Sequence, residues 1–328
     1  MAVARRIVQG ACLVLASFGC DSAVPSHGQT FPSNVIRIVV PTAPGTPPDI
    51  ISRVIAAELS ATEGWRMSVE NKPGALQTIG MAEVLKQPAD GLSIYPMSVP
   101  TMAVPALLPQ MGLRPDVDFA PIIKVSRSFN VLVVTPSFPP RSIAELVAIL
   151  KREPGKYNFS SAGFGTPAHL IGEMFKLQTG VQAIHVPYQQ PQQRIADLLT
   201  GTNQFDFLAS VSAGHFIATG KLRALAVTGP DRIAGLKDVP SVVEQGFPGL
   251  VVEDYVGFAV KRGTSTDIVA RLNKAVGHAL ERPHVREAFA KLGAEPAGGT
   301  SAEFGDLIKS QVAHWGRVVR DSGIKMPD

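Results

Sequence analysis

Twice in this sequence a short apolar run ends in a loop of small residues, glycine and proline, and a helical pattern starts directly after it. Ile36-Arg37-Ile38-Val39-Val40-Pro41 leads through Thr42–Asp49 into a helix that keeps Ile50, Ile51, Val54, Ile55 and Leu59 on one face. Lys156–Phe159 leads through Ser160–His169 into the helix-like run Leu170–Gln178. Small residues and glycine let the backbone turn sharply and come close to a ligand. Thr166 is a good N-cap, and Pro167 falls at the first helical position, where its missing N–H costs nothing. A strand, a tight polar loop and a helix N-terminus in that order offer free N–H groups and a positive dipole end to an anion or a carbonyl. The two helix mouths are expected to face each other across a cleft.

The rest of the chain supports a scaffold for such loops. From residue 31, short β-type runs alternate with helices of about 10–15 residues, the pattern of parallel sheets built from βαβ units. Strands are expected at Arg66–Asn71, Leu92–Met97, Phe119–Val125, Asn130–Thr135, Ala183–Tyr188, Gln204–Ala209, Leu222–Thr228 and Val251–Val260. Segment 98–116 carries four prolines and reads as loop plus short helix. Ser142-Ile143-Ala144-Glu145 is a capping box that opens a helix to about Arg152. Further helices are expected at Pro191–Thr200, Ala213–Thr219 and, as a short piece, Ser241–Gln245. The tail reads as the helices Thr266–Leu280, Pro283–Leu292 and Ser301–Asp321, and no internal repeat stands out. The expected architecture is α/β with two lobes, each a mainly parallel sheet flanked by helices. Residues 31–128 with 253–328 form one lobe and 129–252 the other, with crossings near 126–131 and 250–257. Ligands in such sheets bind beyond the carboxyl ends of strands, and small-molecule sites concentrate between domains.

Composition narrows the partners. The 328 residues are 45% hydrophobic and only 18% charged, enough for sizeable cores. The formal charge of +4 is scattered, with no Lys/Arg-rich run, which argues against nucleic acid. Arg5-Arg6 followed by the apolar stretch Ile7–Phe18 reads as an export signal, too short to span a bilayer. Two cleavage readings stand: Ser17-Phe18-Gly19-Cys20 as a lipoprotein box with Cys20 lipidated, or cleavage before Phe31. Cys12 and Cys20 are the only cysteines, so no disulfide or thiol chemistry is expected after residue 30. The histidines show no metal-ligand spacing, and no cofactor is expected.

Enzymatic readings are weaker. Gly163-Phe164-Gly165-Thr166-Pro167-Ala168 fits the dinucleotide fingerprint, yet the next strand ends in His185-Val186-Pro187-Tyr188-Gln189 with no carboxylate before Asp197 to hold a ribose. No nucleophile elbow, S-x-x-K or H-E-x-x-H is present. Ser160 and Ser161 have no base within their own motif, so an exported hydrolase of small esters is kept as the alternative class. Asp49 reads as a capping or interlobe residue, His169 as packed on its loop or touching ligand, and Asp206 as either a loop partner or a ligand contact.

Between Phe31 and Lys325 the sequence resembles the solute receptors of tripartite tricarboxylate transporters, the Bug-type extracytoplasmic binding proteins. The resemblance rests on Ile36–Pro41, Asp49-Ile50-Ile51-Ser52-Arg53, Glu70-Asn71-Lys72-Pro73-Gly74 and Asp118–Ile122. It continues through Tyr157–Thr166, His185-Val186-Pro187-Tyr188, Gly220–Thr228 and Leu292-Gly293-Ala294-Glu295-Pro296. It implies a type II periplasmic-binding-protein fold, a non-enzymatic monomer that closes on a small carboxylate and presents it to membrane permease subunits. A sensing role is the second alternative. By resemblance, ligand contacts fall on Pro44, Gly45 and Thr46, on Ser161, Ala162, Gly165, Thr166 and His169, and on Ser98 and Tyr188.

The departures from the family pattern are informative. A Gly-Gly pair is usual where Gly45-Thr46-Pro47-Pro48 stands, and a glycine-rich Asn segment where Ala75-Leu76-Gln77-Thr78 stands. Small polar residues are expected at Met97-Ser98-Val99-Pro100, and Lys-Gly at Gln189-Gln190. The changes make the pocket wall more apolar and remove a positive charge, so the carboxylate is expected to carry an aromatic or alkyl body.

Overall fold

Both faces of the run Ile36–Val40 are covered, leaving only Arg37 partly exposed, as a parallel strand clad with helices requires. It is β1 of the computed structural model, which describes residues 31–326. The export segment and Cys20 lie outside the described residues. After β1 come α1 (Pro47–Glu63), β2 (Met67–Asn71), α2 (Thr78–Lys86), β3 (Ser93–Met97) and α3 (Val99–Leu107). The short α4 (Pro115–Asp118) then leads into the long β4 (Phe119–Val134). The second lobe holds α5 (Ile143–Arg152), β5 (Asn158–Ser161), α6 (Pro167–Thr179) and β6 (Ile184–Pro187). It continues with α7 (Pro191–Thr200), β7 (Phe205–Ala209), α8 (Ser210–Ala218) and β8 (Arg223–Val227). The chain returns through β9 (Glu253–Lys261), α9 (Thr266–Leu280), α10 (Pro283–Ala290), β10 (Ala294–Gly298) and α11 (Ser301–Ser322).

The strand order is β2-β1-β3-β9-β4-β7-β5-β6, with β8 and β10 also on β4. Parallel units sit at the two ends, β2-β1-β3 and β7-β5-β6, and antiparallel strands join them in the middle. Two strands were expected at 119–125 and 130–135, and one continuous strand is found. Ser126-Arg127-Ser128 breaks the apolar pattern, but the backbone stays paired with β9 and β10 there. Pairing with β9 reaches Phe129↔Glu253, and pairing with β7 begins at Asn130↔Ala209. β4 thus carries the chain from one lobe to the other. Segment 98–116 is more helical than expected, with a half-buried Pro105 inside α3. Ser241–Gln245 is not a helix; Ser241 bridges Val227 and its segment turns. β10 was not expected as a strand at all.

Cores follow the same plan. Ile36, Ile38 and Val40 bury with Ile55, Leu59, Phe258, Val276 and Phe289 on one side of the first lobe. A larger cluster joins Val39, Tyr95 and Phe119 to Phe159, Phe175 and Phe205 of the second lobe, with Trp315 of α11 among them. α11 lies against both α3 and α6, so the tail helix ties the lobes together. Among the described residues no helix is long and apolar enough to cross a membrane.

Candidate functional site

The two loops close in the same way. Gly45 and Gly165 are left-handed (φ 80° and 70°), and each precedes an extended threonine, Thr46 or Thr166. Each threonine hydroxyl donates back three residues, to Ala43 O at 2.8 Å and to Gly163 O at 2.7 Å. Each glycine N–H is capped from the third residue of its own helix, Asp49 Oδ2 and His169 Nδ1, both at 2.9 Å. Gly45-Thr46-Pro47-Pro48-Asp49 and Gly165-Thr166-Pro167-Ala168-His169 are therefore one device used twice. The likeness was there in the sequence, in the shared G-T-P and the acceptor two residues later, although no repeat was counted.

The second loop keeps donors free. Ser161 is fully buried and its Oγ accepts from Gly163 N–H at 3.0 Å. Because His169 Nδ1 accepts, its proton sits on Nε2, which has no partner among the described residues. The N–H groups of Ala168 and His169 have no acceptor among the described residues either. Burial lowers the pKa of His169 to about 4, aided by Lys176, so the ring is neutral. The first loop offers one donor fewer, because Pro48 stands where the second has Ala168. Thr46 N–H goes to Ala43 O, Gly45 N–H is taken by Asp49, and Asp49 N–H, like that of His169, has no acceptor among the described residues. Burial pushes the Asp49 carboxyl up, but Arg53, Gly45 N–H and Asn71 together hold it below the usual range.

The loops open on the same side. β1 and β2 run parallel and end level, Val40 beside Asn71, and Asn71 Nδ2 bonds Thr42 O and Asp49 Oδ1. The turn Ala75–Gln77 that follows β2 meets the second loop. A Cβ placed on Gly165 would stand 2.5 and 3.1 Å from the Leu76 methyls and 3.2 Å from Leu107 Cδ1. Gly45, by contrast, has nothing within 4 Å of such a position. The second loop thus touches the first lobe at Leu76 and Leu107.

Two expected contacts are otherwise engaged. Gln77 Nε2 donates to Ser98 Oγ at 3.1 Å, while Thr101 Oγ1 donates to Gln77 Oε1 at 2.7 Å. Tyr188 turns its hydroxyl onto Asp197 and Asn203, each at 2.6 Å. Asp206 bonds no loop among the described residues: fully buried, it accepts from Ser160 Oγ on β5 and holds Arg194 of α7 in a two-point pair. His185, inside its strand, reads from the sequence as core or surface. It stacks on His169 with ring centroids 4.0 Å apart, lies 2.6 Å from Ser161 Oγ, and faces the Phe164 ring edge-on. The signal for it was the His185-Val186-Pro187 strand directly beside the Ser160-Ser161 strand.

That Ser161–His185 contact is what a hydrolase would need, but its setting is wrong for one. Burial, then His169, Lys176 and Arg194, lower His185 to about 3, far below a working general base. Among the described residues no carboxylate bonds its ring, and Ser161 Oγ is tied into its own loop.

The comparisons with known proteins agree with this geometry. Residues 51–324 match the tripartite tricarboxylate transporter family receptor. The chain belongs to that family. Among relatives of this family receptor, Protein BugT of Bordetella pertussis is 32% identical, over 93% of this chain and 94% of its own. R. palustris Rpa4515, solved with adipate, is 30% identical with a TM-score of 0.78, over 90% of this chain and 99% of that one. MatC (Rpa3494) from Rhodopseudomonas palustris, solved with bound malate, is 29% identical with a TM-score of 0.76, over 88% and 100%.

The histidine stack has a consequence for stability. A histidine whose folded pKa lies below its unfolded value of about 6.5 stabilises fully above that pH and loses the contribution as pH falls. Asp254, raised to about 6 by burial, acts in the opposite sense over its own window. Its effect is common to wild type and a His185→Gln variant. Between pH 7 and 5.5 the wild type should lose about 1 kcal/mol more than that variant in urea unfolding. Equal losses in the two proteins would contradict the low His185 pKa.

Proposed function

We propose that this chain is an extracytoplasmic receptor that captures a small carboxylate between its lobes and delivers it to the permease subunits of a tripartite tricarboxylate-type transporter. The lobes are residues 31–128 with 253–328, and 129–252. The observation that carries the reading is the second loop, whose unengaged Ala168 and His169 N–H groups belong to a loop pressed on Leu76 of the other lobe. Ser161, Ala162, Gly165, Thr166 and His169 hold the carboxylate, with Pro44, Gly45 and Thr46 on the facing wall. Ser98 contributes through the Gln77 amide, and Tyr188 through its ring. Leu76, Leu107 and Phe164 favour a ligand with an alkyl or aromatic body. Relatives solved with adipate and malate support a carboxylate.

Binding favours the closed arrangement only through contacts made there, with the crossings as hinges. A ligand at a hundred times its Kd stabilises by about 2.7 kcal/mol. Carboxylates with apolar bodies should therefore raise the melting temperature by several degrees. Gly165→Val should abolish that rise while circular dichroism stays native, since it forces a β-branched residue to φ 70° against Leu76. Wild-type affinity in Gly165→Val, or stabilisation by compact hydrophilic acids such as citrate alone, would overturn the reading.

A further inference from the structure

The turn Ala75–Gln77 is the least expected backbone in the molecule. Ala75, Leu76 and Gln77 have φ of 43°, 51° and 73°, and no other non-glycine residue among those described has positive φ. Successive left-handed residues are disfavoured because each Cβ crowds the following carbonyl oxygen. Such backbone persists only where its surroundings impose it, and it gathers at ligand sites. Here Gln77 supplies the hold: its amide brackets Ser98 and Thr101, its carbonyl accepts from Tyr95 Oη at 3.3 Å, and its N–H reaches Gly74 O at 2.9 Å.

The result is twofold. The isobutyl group of Leu76 is delivered onto Gly165 and Leu107, at the mouth of the second loop. At the same time the first lobe becomes less hospitable to an anion. Ser98 and Thr101 hydroxyls are spent on Gln77, Gly45 N–H is spent on Asp49, Pro44, Pro47 and Pro48 have no N–H, and Asp49 N–H sits beside its own ionised carboxylate. A ligand bridging the lobes would meet amide donors on one side and a hydrocarbon surface on the other.

Resting on the reading above, we infer that the receptor selects a monocarboxylate with an apolar body, its carboxylate on the second loop and its body against Leu76, which sets that preference. A second carboxylate on the ligand would be desolvated against the Leu76 side chain and repelled by the ionised Asp49, and burying a poorly paired charge is strongly disfavoured.

The test is calorimetric titration of the purified chain with two matched pairs, hexanoate against adipate and benzoate against terephthalate. Wild type should bind each monoacid about tenfold more tightly than its diacid, or better. Leu76→Gly keeps the turn, because glycine adopts left-handed angles freely. It should weaken hexanoate about tenfold and bring the hexanoate-to-adipate ratio near unity. Pro48→Ala, which restores one N–H to the first turn of α1, should tighten adipate and leave hexanoate unchanged. Diacids bound as tightly as monoacids by wild type, or an unchanged ratio in Leu76→Gly, would overturn the role of Leu76 and leave the carboxylate receptor standing. Failure of wild type to bind all four acids would overturn both.

Discussion

Arg194→Met should destabilise the folded chain by about 3–5 kcal/mol, because it leaves a buried carboxylate without its counter-charge. Asp206 lies on β7 with no exposed surface. Arg194 reaches it from α7, donating from Nε to Oδ2 at 2.7 Å and from Nη2 to Oδ1, and Ser160 Oγ completes the set. Burial pushes the Asp206 carboxyl up, while the guanidinium and the hydroxyl pull it down. Without Arg194 only Ser160 and a backbone N–H oppose burial. The Asp206 pKa would then rise further, and the folded state would bind a proton more readily than the unfolded one. Stability of the variant should therefore recover as pH is lowered from 7 toward 5, by more than the smaller recovery that the already raised Asp206 pKa gives wild type. Replacing the pair together, Arg194→Met with Asp206→Leu, should restore most of the loss, since apolar replacements of buried ion pairs are often neutral. Urea unfolding at two pH values separates these outcomes. A loss below 1 kcal/mol in the single variant would mean water already solvates Asp206.

Ser160 connects this pair to the candidate site, because its neighbour Ser161 opens the second loop. That link shows where sequence reasoning reached and where it stopped. Periodicity and punctuation placed the strands and helices around both loops, since Pro47 and Pro167 at helix starts and left-handed Gly64 and Gly180 just past helix ends are local signals. β4 read as two strands because a polar stretch, Ser126-Arg127-Ser128, interrupts the apolar pattern. Its pairing partners, β9 and β10, come from more than a hundred residues away. β10 was missed for the opposite reason: Pro296 and Gly298 speak against a strand, yet an outer strand paired only to β4 tolerates them.

The site was legible as two loops and illegible as a donor inventory. The shared G-T-P spacing hints that Asp49 and His169 close on their own glycines, but nothing local says that Gln77 occupies Ser98. Ala75-Leu76-Gln77 has the composition of a helix start, and no propensity predicts three left-handed residues. The resemblance held the one clue, since a glycine-rich Asn segment is usual where this chain has Ala75-Leu76-Gln77-Thr78. Side chains on left-handed backbone, the region that glycine favours, change what the turn presents to Gly165. Tertiary contacts with Ser98, Thr101 and Gly165 explain how the turn tolerates them.

Thr228→Val should cost about 2–6 kcal/mol, the sum of two buried backbone groups each left unpaired at about 1–3 kcal/mol. Thr228 stands where the lobes exchange strands, with no exposed surface. Its Oγ1 accepts from Asn130 N–H at 3.0 Å and donates to Val252 O at 2.8 Å. Its own N–H donates to Asn130 O at 2.8 Å, and its carbonyl accepts from Val252 N–H at 2.9 Å. One residue therefore stitches the outgoing crossing, just after Phe129, to the incoming one, just before Glu253. Valine has the shape of threonine without the hydroxyl, so packing is preserved and the polar loss is isolated. Thr228→Ser keeps the hydroxyl and should cost about 1 kcal/mol or less, from one missing methyl. Because both crossings meet here, the valine variant should also loosen the coupling between the lobes. Amide exchange at Asn130 and Val252 should then accelerate more than exchange in β1 or β5, whose pairings are untouched. Uniform acceleration across the sheet would make Thr228 an ordinary core residue and remove it from the hinge. Unchanged stability would show that both backbone groups find other partners.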